Sequence, residues 1–487
     1  MRLQAKFSDD DLISILIFIV LAAFACMLPA QNDTFLHLRS GMHMWQTGSF
    51  LLTEPFSHTA YGAELHNHWW LTQLVFYGVH SLGGPFLLTL FAGACALAAV
   101  AGSWRLVRGP WDVRAVLLAW LVITTAPSWS IRPQVVSLLL LTIALHLVAR
   151  NRLWWLPLVC VVWANAHGLV IFGVAVAGAV LLEALLWSRH DAKRAALVVA
   201  ACVAAPTVSP LGWNYWPQIL STVSLARELQ IQEYQMPLRL QDLPFWAGLG
   251  ALVVLTILQR RRLAALERAD RILLLGALVL AVAAVTTARN VAFFAVVAAP
   301  ALSRLWAAGA LITPPHLAGR KGPPYGYETE RRARPLGALA WGLCLMVAAG
   351  SAVMVFQRWS DPGARLGWEP VSKEALGALR ECPDRLFNEM LDGGYLIWSL
   401  PSHRVFVDGR MEAYPPEVLR ASRQADLFGD YEAVFRDYGI NCAIVTTGTP
   451  LYAKLAADRS MTRTFADGKR AVFVRETSSS ESIAAHR

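Results

Sequence analysis

Charged residues are scarce in this sequence. Asp, Glu, Lys and Arg make up only 16% of the 487 residues, whereas hydrophobic residues make up 56%. A soluble domain usually carries about 25% charged residues, so much of the surface must face something other than water. The stretch 12–30 has no charge at all. It is long enough to cross the hydrocarbon core of a bilayer, which is about 30 Å thick. The composition therefore predicts a membrane protein.

Motifs for zinc, redox chemistry and nucleic acid are also missing. None of the 7 cysteines forms a Cys-x-x-Cys pair, which disfavours a zinc or thioredoxin-type site. Only Cys382 and Cys442 lie in the hydrophilic C-terminal part, where a disulfide between them is an open alternative. No helix-turn-helix, RNP or zinc-finger spacing occurs. The net charge of +9 therefore indicates basic cytoplasmic loops rather than nucleic-acid binding.

Apolar runs predict a polytopic α-helical membrane protein with about eleven spanning helices. Three of these runs are short for a full crossing. The predicted spans lie near 11–30, 84–107, 112–127, 133–150, 152–166, 168–187, 193–208, 242–259, 271–287, 290–308 and 335–356.

Basic residues alternate between successive loops. Loops after even-numbered spans hold clusters such as 260–262, whereas the opposite side holds isolated arginines such as Arg39, Arg132 and Arg289. Because cytoplasmic loops carry the excess of Arg and Lys, this pattern predicts a cytoplasmic N-terminus.

The pattern divides the chain into two domains and a tail. A transmembrane domain is predicted over 1–356, with outer loops at 31–83 and 209–241 and a cytoplasmic linker at 309–334. A soluble α/β domain over 357–475 should lie on the outer side, and the Ser-rich stretch 476–487 should be disordered. Within the α/β domain, strands are predicted at 404–407, 442–446 and 471–474, and helices near 415–425, 430–437 and 450–457.

Candidate chemistry gathers in the first outer loop. Asp33 and His37 are four residues apart and share one face of an amphipathic helix predicted over 33–46. A carboxylate just outside the first span can act as a general base toward a hydroxyl group. The alternative is that Asp33 caps the interfacial helix. His66 and His68 could bind a metal from one strand face, or form an ordinary polar surface.

Further polar groups lie at the outer ends of predicted spans. Arg132 and Arg289 can bind a phosphate group or simply extend to the interface. Asn165, His167 and Glu233 lie on the same side. Ionisable groups near bilayer depth are costly and are therefore functional candidates. Their shared sidedness favours one outer cavity.

Asp408 follows a predicted strand and precedes Gly409. This position suits an active-site carboxylate, and it suits a structural turn equally well.

Together these residues resemble a bacterial multi-spanning family related to the GT-C glycosyltransferases, which use lipid-linked sugars. The family's first loop runs D-x-W-W-H-L-R-x-G, D-P-F-S-x-T and H-E-W-L. The matches here are Asp33, His37, Leu38, Arg39, Gly41, Pro55, Phe56, Ser57, Thr59, His68, Trp70 and Leu71. Blocks at 132–134, 163–168, 210–212, 233, 289–290, 388–396 and 406–410 extend the resemblance over most of the chain.

The sequence departs from this family pattern at three places. Glu54 replaces an Asp, Trp69 replaces the acid of H-E-W-L, and Phe35-Leu36 replace a Trp pair. The loss of one acid weakens any mechanism that needs two carboxylates or a metal.

The resemblance implies inverting transfer of a sugar from a polyprenyl-phosphate carrier to an acceptor. The reaction would take place on the outer side of a bacterial cytoplasmic membrane. Asp33 would be the base, and Arg132 and Arg289 would bind the lipid phosphate. No cofactor is definitely implied, although a divalent metal is compatible. The remaining substrate-binding candidates are His37, Arg39, Glu54, His68, Asn165, His167 and Glu233.

Two other function classes remain open at this point. A transporter of lipid-linked glycans would be expected to show inverted repeats or midplane charges, and the sequence shows neither. A non-catalytic scaffold remains compatible with Trp69 in place of an acid.

Overall fold

The computed structural model describes residues 9–310, 338–360, 366–383 and 385–475. Almost all of the predicted linker 309–334 and the whole predicted tail 476–487 lie outside these described residues. The described part contains eighteen α-helices and four β-strands. The helices are α1 (Asp9–Ala25), α2 (Asn32–Thr47), α3 (Trp70–Leu106), α4 (Trp111–Thr125), α5 (Gln134–Ala149), α6 (Leu156–Ala166), α7 (Ile171–Leu186), α8 (Ala192–Ala204), α9 (Tyr215–Glu228), α10 (Leu243–Leu258), α11 (Arg268–Thr286), α12 (Val291–Ala310), α13 (Ala338–Trp359), α14 (Lys373–Arg380), α15 (Met390–Ser399), α16 (Pro416–Phe428), α17 (Glu432–Asp437) and α18 (Pro450–Ala457). The strands are β1 (Leu386–Asn388), β2 (Cys442–Thr446), β3 (Met461–Ala466) and β4 (Arg470–Arg475).

The chain forms two compact units that do not follow sequence order. The first unit comprises the described residues of Met1–Pro29, Gly83–Val208 and Gln232–Leu366. The second comprises those of Ala30–Leu82, Ser209–Ile231 and Gly367–Arg487. The boundary between the units passes through α3 after Leu82. The helix is broken there, since Gly84 has φ +62°. Glycine adopts this backbone conformation without strain.

The apolar helices make this a membrane protein. Within the described residues, six helices are long and apolar enough to cross a bilayer, or seven if the bent pair 189–208 and 212–228 counts as one span. Three more apolar helices, Ser14–Ala25, Gln134–Ala149 and Leu153–Ala166, are shorter. The predicted helical membrane fold is confirmed, whereas the number of eleven spans is not.

α12 is the central helix of the first unit. It packs against α4, α5, α10 and α11, and its residues from 292 to 302 are almost completely buried. Phe293 stacks on Phe172 of α7, with ring centroids 4.6 Å apart. A helix that is apolar all round is expected in such a central position.

Buried ion pairs tie the helices of the first unit together. Glu183 on α7 is fully buried and accepts hydrogen bonds from Arg268 and Arg271 at the start of α11. Arg304 on α12 pairs with Asp270 on α11 at 2.8 Å. These carboxylates each have a nearby cation, so their burial in the helical unit is compensated.

The second unit contains a four-stranded sheet in the order β1-β2-β4-β3. β1 and β2 are parallel, whereas β4 pairs antiparallel with β2 and with β3. Cys382 and Cys442 form a disulfide that joins the segment before β1 to the start of β2. The expected α/β pattern of the C-terminal region is therefore confirmed.

One predicted strand is wrong, and two strands were missed. Residues 404–407 do not join the sheet, because the backbone of Val405 pairs instead with the first loop: its N–H donates to the Phe56 carbonyl at 3.0 Å, and its own carbonyl accepts from His58 N–H at 3.1 Å. The sequence does not predict β1 and β3. β1 has only three residues, and β3 is largely exposed with a polar sequence.

α2 packs along α15 within the second unit. Phe35 and Tyr395 meet edge to face, with ring centroids 5.1 Å apart. A Cβ on Gly394 would lie 2.4 Å from the Asn32 carbonyl oxygen. The Gly-Gly-Tyr sequence of α15 therefore allows the start of α2 to approach closely.

Candidate active site

The first unit holds a cluster of two arginines around one carboxylate. Arg132 Nη1 donates to Glu233 Oε2 at 3.2 Å, and Arg289 Nη1 donates to Glu233 Oε1 at 3.0 Å. Arg289 Nη1 also donates to the Tyr234 hydroxyl at 2.6 Å. Arg132 lies just before α5 and Arg289 just before α12. The N-terminal ends of two helices thus place both guanidiniums against the Glu233 carboxylate.

His167 extends this cluster into the helical core. Arg289 Nη2 lies 3.1 Å from His167 Nε2. Because a guanidinium can only donate, Nε2 must accept, and the imidazole proton is on Nδ1. Nδ1 lies 2.7 Å from Ser137 Oγ, which also accepts from Trp163 Nε1 at 2.7 Å. His167 is therefore neutral and fixed in orientation.

Glu233 is ionised between the two arginines. Burial raises the pKa of Glu233, but Arg289 and Arg132 outweigh this effect and lower it to about 2. Among the contacts described, the two guanidiniums outnumber the single carboxylate. Such a group can bind a phosphate monoanion or dianion through charge-assisted hydrogen bonds.

Asn165 lies in the same unit, and its described contacts are with backbone carbonyls. Its side-chain Nδ2 donates to the Val161 carbonyl at 2.8 Å and to the Val208 carbonyl at 3.4 Å. These bonds connect the end of α6 with the turn after α8.

Asp33 lies in the first turn of α2, in the second unit. Gln31 occupies the N-cap position, and its backbone N–H donates to Thr34 Oγ1 at 2.9 Å. Asp33 is therefore not the cap residue. Its side chain lies at the positive end of the helix dipole. Gly409 leaves room for it, because a Cβ there would lie 2.5 Å from Asp33 Oδ1.

His37 and His68 are buried beside this helix turn in the same unit. Gln73 Nε2 donates to His37 Nδ1 at 3.3 Å, while Gln73 Oε1 accepts from Asn67 at 2.8 Å. Both imidazoles pack on Trp69, with ring centroids 5.5 Å and 3.8 Å away. The indole that replaces the family's acid thus fills the space between two histidines.

Glu54 belongs to a buried network that joins the first loop to the C-terminal segment. Its Oε2 lies 2.6 Å from Arg410 Nη1, and its Oε1 accepts from the backbone N–H groups of Phe56 and Ser57 at 2.7 and 2.8 Å. Arg410 also donates to both oxygens of Asp408, at 2.9 and 2.6 Å. All three charged side chains are buried.

Asp408 is anchored more tightly still. Besides Arg410, the Tyr414 hydroxyl donates to its Oδ2 at 2.6 Å. Burial would raise the pKa of Asp408, but the charge of Arg410 and these hydrogen bonds keep it below the usual value. This environment agrees with the structural interpretation of Asp408 rather than the catalytic one.

Glu412 is a carboxyl group that the sequence did not reveal. It is half-buried, and its Oε1 is buried without a hydrogen-bond partner. Burial raises the pKa of Glu412 to about 8, and the charges of Asp408 and Asp33 contribute to this shift. Asp33 therefore has a second carboxyl group nearby that is largely protonated at neutral pH. No spacing could predict this, because the two residues are far apart in the sequence.

The raised pKa of Glu412 makes a testable contribution to stability. Between pH 4.5, its ordinary pKa, and pH about 8, the folded protein keeps a proton that the unfolded chain has released, so this group's contribution falls as pH rises. We expect the melting temperature of Glu412→Gln to decline less over that window than that of the wild type. Glu417→Gln, on the exposed side of α16, should melt in parallel with the wild type. Parallel curves for both variants would contradict the raised pKa.

A metal site was one expectation for these residues. Within the described ranges, no group of three or more His, Cys, Asp and Glu side chains is arranged to hold a metal ion. His66 lies 3.6 Å from Glu64, whereas His68 packs on Trp69.

The fold is similar to that of a solved oligosaccharyltransferase, in agreement with the GT-C-like fold that the sequence resemblance implies. The oligosaccharyltransferase AglB from Archaeoglobus fulgidus, in complex with an inhibitory peptide and a dolichol-phosphate, aligns with 89% of this chain. The alignment covers 69% of AglB, with a TM-score of 0.53 and 11% identity. The same oligosaccharyltransferase tethered to an acceptor peptide aligns over 97% of this chain and 74% of its own, with the same TM-score and identity.

ArnT from Cupriavidus metallidurans bound to undecaprenyl phosphate also aligns with this chain. The alignment covers 96% of this chain and 98% of ArnT, with a TM-score of 0.49 and 16% identity. No protein-family model matches the sequence, and no curated protein matches it significantly. At these identities, the structural likeness defines the fold alone.

Proposed function

We propose that this protein transfers a sugar from a polyprenyl-phosphate carrier to the hydroxyl group of an acceptor. The main support is the likeness to AglB over most of the chain, together with the dolichol-phosphate in that enzyme's structure. In keeping with the sequence pattern, we place the reaction on the outer side of a bacterial cytoplasmic membrane. The N-terminus is then cytoplasmic and the C-terminal α/β domain periplasmic.

In the proposed reaction, Asp33 accepts the proton of the acceptor hydroxyl as its oxygen attacks the anomeric carbon. The bond between that carbon and the phosphate oxygen breaks, and polyprenyl phosphate leaves with the bonding electrons. Attack opposite the leaving group inverts the anomeric configuration. A positioned general base typically contributes about 10²–10⁴-fold to the rate.

We assign the leaving phosphate to Arg132 and Arg289. Negative charge develops on its oxygen as the bond breaks, and fixed cations stabilise the transition state most where charge develops. Glu233 holds the two guanidiniums at distances of 3.2 and 3.0 Å and so fixes their positions before substrate binds. His167 orients Arg289 in the same way.

The other candidates complete the proposed substrate environment. His37, Arg39, Glu54 and His68 belong to the second unit, and Asn165 belongs to the first. In this proposal they shape the binding surfaces around the reacting groups and do not transfer protons.

The decisive experiment uses the full-length protein in nanodiscs with a radiolabelled polyprenyl-phosphate sugar and a panel of acceptors. We expect release of polyprenyl phosphate together with label in an acceptor. Movement of the intact donor between leaflets without cleavage would instead identify a transporter. If the protein neither cleaves nor moves the donor, the scaffold interpretation replaces the enzyme.

A further inference from the structure

A cavity of about 610 Å³ lies entirely within the second unit. Its walls come from α2, the first loop, the residue before β1 and the turn after α15. Half of the twelve described lining residues are basic, and none of them is Asp or Glu. The basic lining residues are Arg39, His43, His58, Arg385, His403 and Arg404.

Arg39 carries a positive charge that has no acidic counterpart in the described contacts. Burial lowers the pKa of Arg39, and no carboxylate offsets that effect. Its Nε is buried without a hydrogen-bond partner, and its Nη1 lies 3.9 Å from Met42 Sδ, a weak acceptor. Because a guanidinium remains protonated, a half-buried cation of this kind is costly unless an anion compensates it.

Two exposed arginines face the same cavity. Arg404 stacks on the Tyr61 ring at 3.7 Å from its centroid, so its planar group is held in a fixed orientation. Arg385 precedes β1 in a left-handed backbone conformation, with φ +75°. Non-glycine residues rarely adopt this conformation, and it tends to occur where function requires a particular side-chain direction.

Backbone carbonyls fix two of the histidines. His58 Nε2 lies 2.9 Å from the Leu386 carbonyl oxygen, and His403 Nε2 lies 3.1 Å from that of Cys382. Since a carbonyl can only accept, both Nε2 atoms carry protons. The disulfide of Cys382 with Cys442 holds this part of the backbone. The cavity is thus preorganised before any ligand enters.

We propose that this cavity binds a phosphorylated saccharide. Guanidinium groups bind phosphate in bidentate fashion, and three of them suit a group with several acceptor oxygens and up to two charges better than a carboxylate. The volume falls within the range of about 300–1,000 Å³ typical of small-molecule sites and exceeds what phosphate alone requires. Pro55 and Tyr61 supply apolar surface for the face of a sugar ring.

This site extends the proposed function, because the bound saccharide would be part of the acceptor. That identification rests on the proposed sugar transfer, whereas binding itself does not. Arg39, assigned to substrate binding by the sequence resemblance, would contact the phosphate of the acceptor rather than the lipid carrier.

The test measures dissociation constants by isothermal titration calorimetry. The full-length protein is held in nanodiscs of phosphatidylcholine, a lipid without net charge. The probes are glucose 6-phosphate, glucose and inorganic phosphate. We expect glucose 6-phosphate to bind most tightly, and more weakly as salt is added. Arg404→Gln and Arg385→Gln should each weaken binding by about tenfold, the effect of losing one hydrogen bond to a charged group. Both side chains are exposed, so neither substitution threatens folding.

Arg436→Gln is the matched control. It removes an exposed arginine on α17 of the same unit that does not line the cavity, and it should bind like the wild type. Equal weakening by Arg436→Gln would overturn the site. If glucose binds as tightly as glucose 6-phosphate, the phosphate group is not recognised. If inorganic phosphate binds as tightly as glucose 6-phosphate, the saccharide is not recognised. Binding without any sugar transfer by the wild type would refute only the proposed function.

Discussion

Asp33→Asn should abolish sugar transfer while leaving the protein folded and in the membrane. Asparagine has nearly the same shape as aspartate but cannot accept the proton of the acceptor hydroxyl. We expect the rate of polyprenyl phosphate release to fall by about 10²–10⁴-fold, the usual contribution of a general base. In cells, the surface glycan or glycolipid profile of the variant should match that of a deletion strain. A profile identical to wild type, when the deletion changes it, would refute the role of Asp33.

Gly409→Ala tests the same carboxylate without changing its charge. The added methyl group would lie 2.5 Å from Asp33 Oδ1, so the carboxylate must move and transfer should slow. Gly377→Ala is the matched control, because a Cβ there meets nothing within 4 Å. In the middle of α14 it should slightly favour the helix. If Gly409→Ala transfers sugar as fast as Gly377→Ala, the position of Asp33 is not important for the reaction.

Arg410→Met should destabilise the second unit strongly. Removal of the guanidinium strands the buried carboxylates of Asp408 and Glu54, which lie 2.6 Å from its nitrogens. Breaking a buried pair in this way costs about 3–5 kcal/mol. We expect a marked decrease in melting temperature of the purified protein, together with increased proteolysis of the first loop.

A second substitution separates charge from packing in this network. Adding Glu54→Gln to Arg410→Met removes one stranded carboxylate and should recover part of the lost stability. Arg436→Met, on the exposed surface of α17, should change the free energy of unfolding by no more than about 0.5 kcal/mol. A loss of stability by Arg410→Met as small as that of Arg436→Met would show that the buried ion pairs contribute little.

Much of the fold could be predicted because it depends on local sequence periodicity. Apolar runs without charge identify membrane helices, and the three helices predicted after residue 410 are present as α16, α17 and α18. The helix predicted at 33–46 is present as α2. Segment 404–407 has the composition of a strand, but its backbone partners lie in the first loop. Local sequence carries no information about such distant pairing.

Individual site residues were recognisable from residue type and motif, whereas their partners were not. The sequence places Arg132 and Arg289 at helix ends and Glu233 in the second outer loop, and the structure brings them together within the first unit. Glu412 has no motif, and its carboxyl group becomes noticeable only through burial and proximity to Asp33. Arg385 and Arg404 also look like ordinary surface residues until the cavity is seen.

The pairing of the first loop with the C-terminal segment affects how the protein is made. Thr59 donates to the carbonyl of Phe406, which lies 347 residues further along the chain. The ribosome therefore completes the first loop long before its partner segment exists, and nearly all of the membrane helices are synthesised in between. Throughout that interval Glu54 lacks the cation that will neutralise it. Because such distant contacts form slowly, the second unit becomes complete only after the segment around Phe406 has been synthesised.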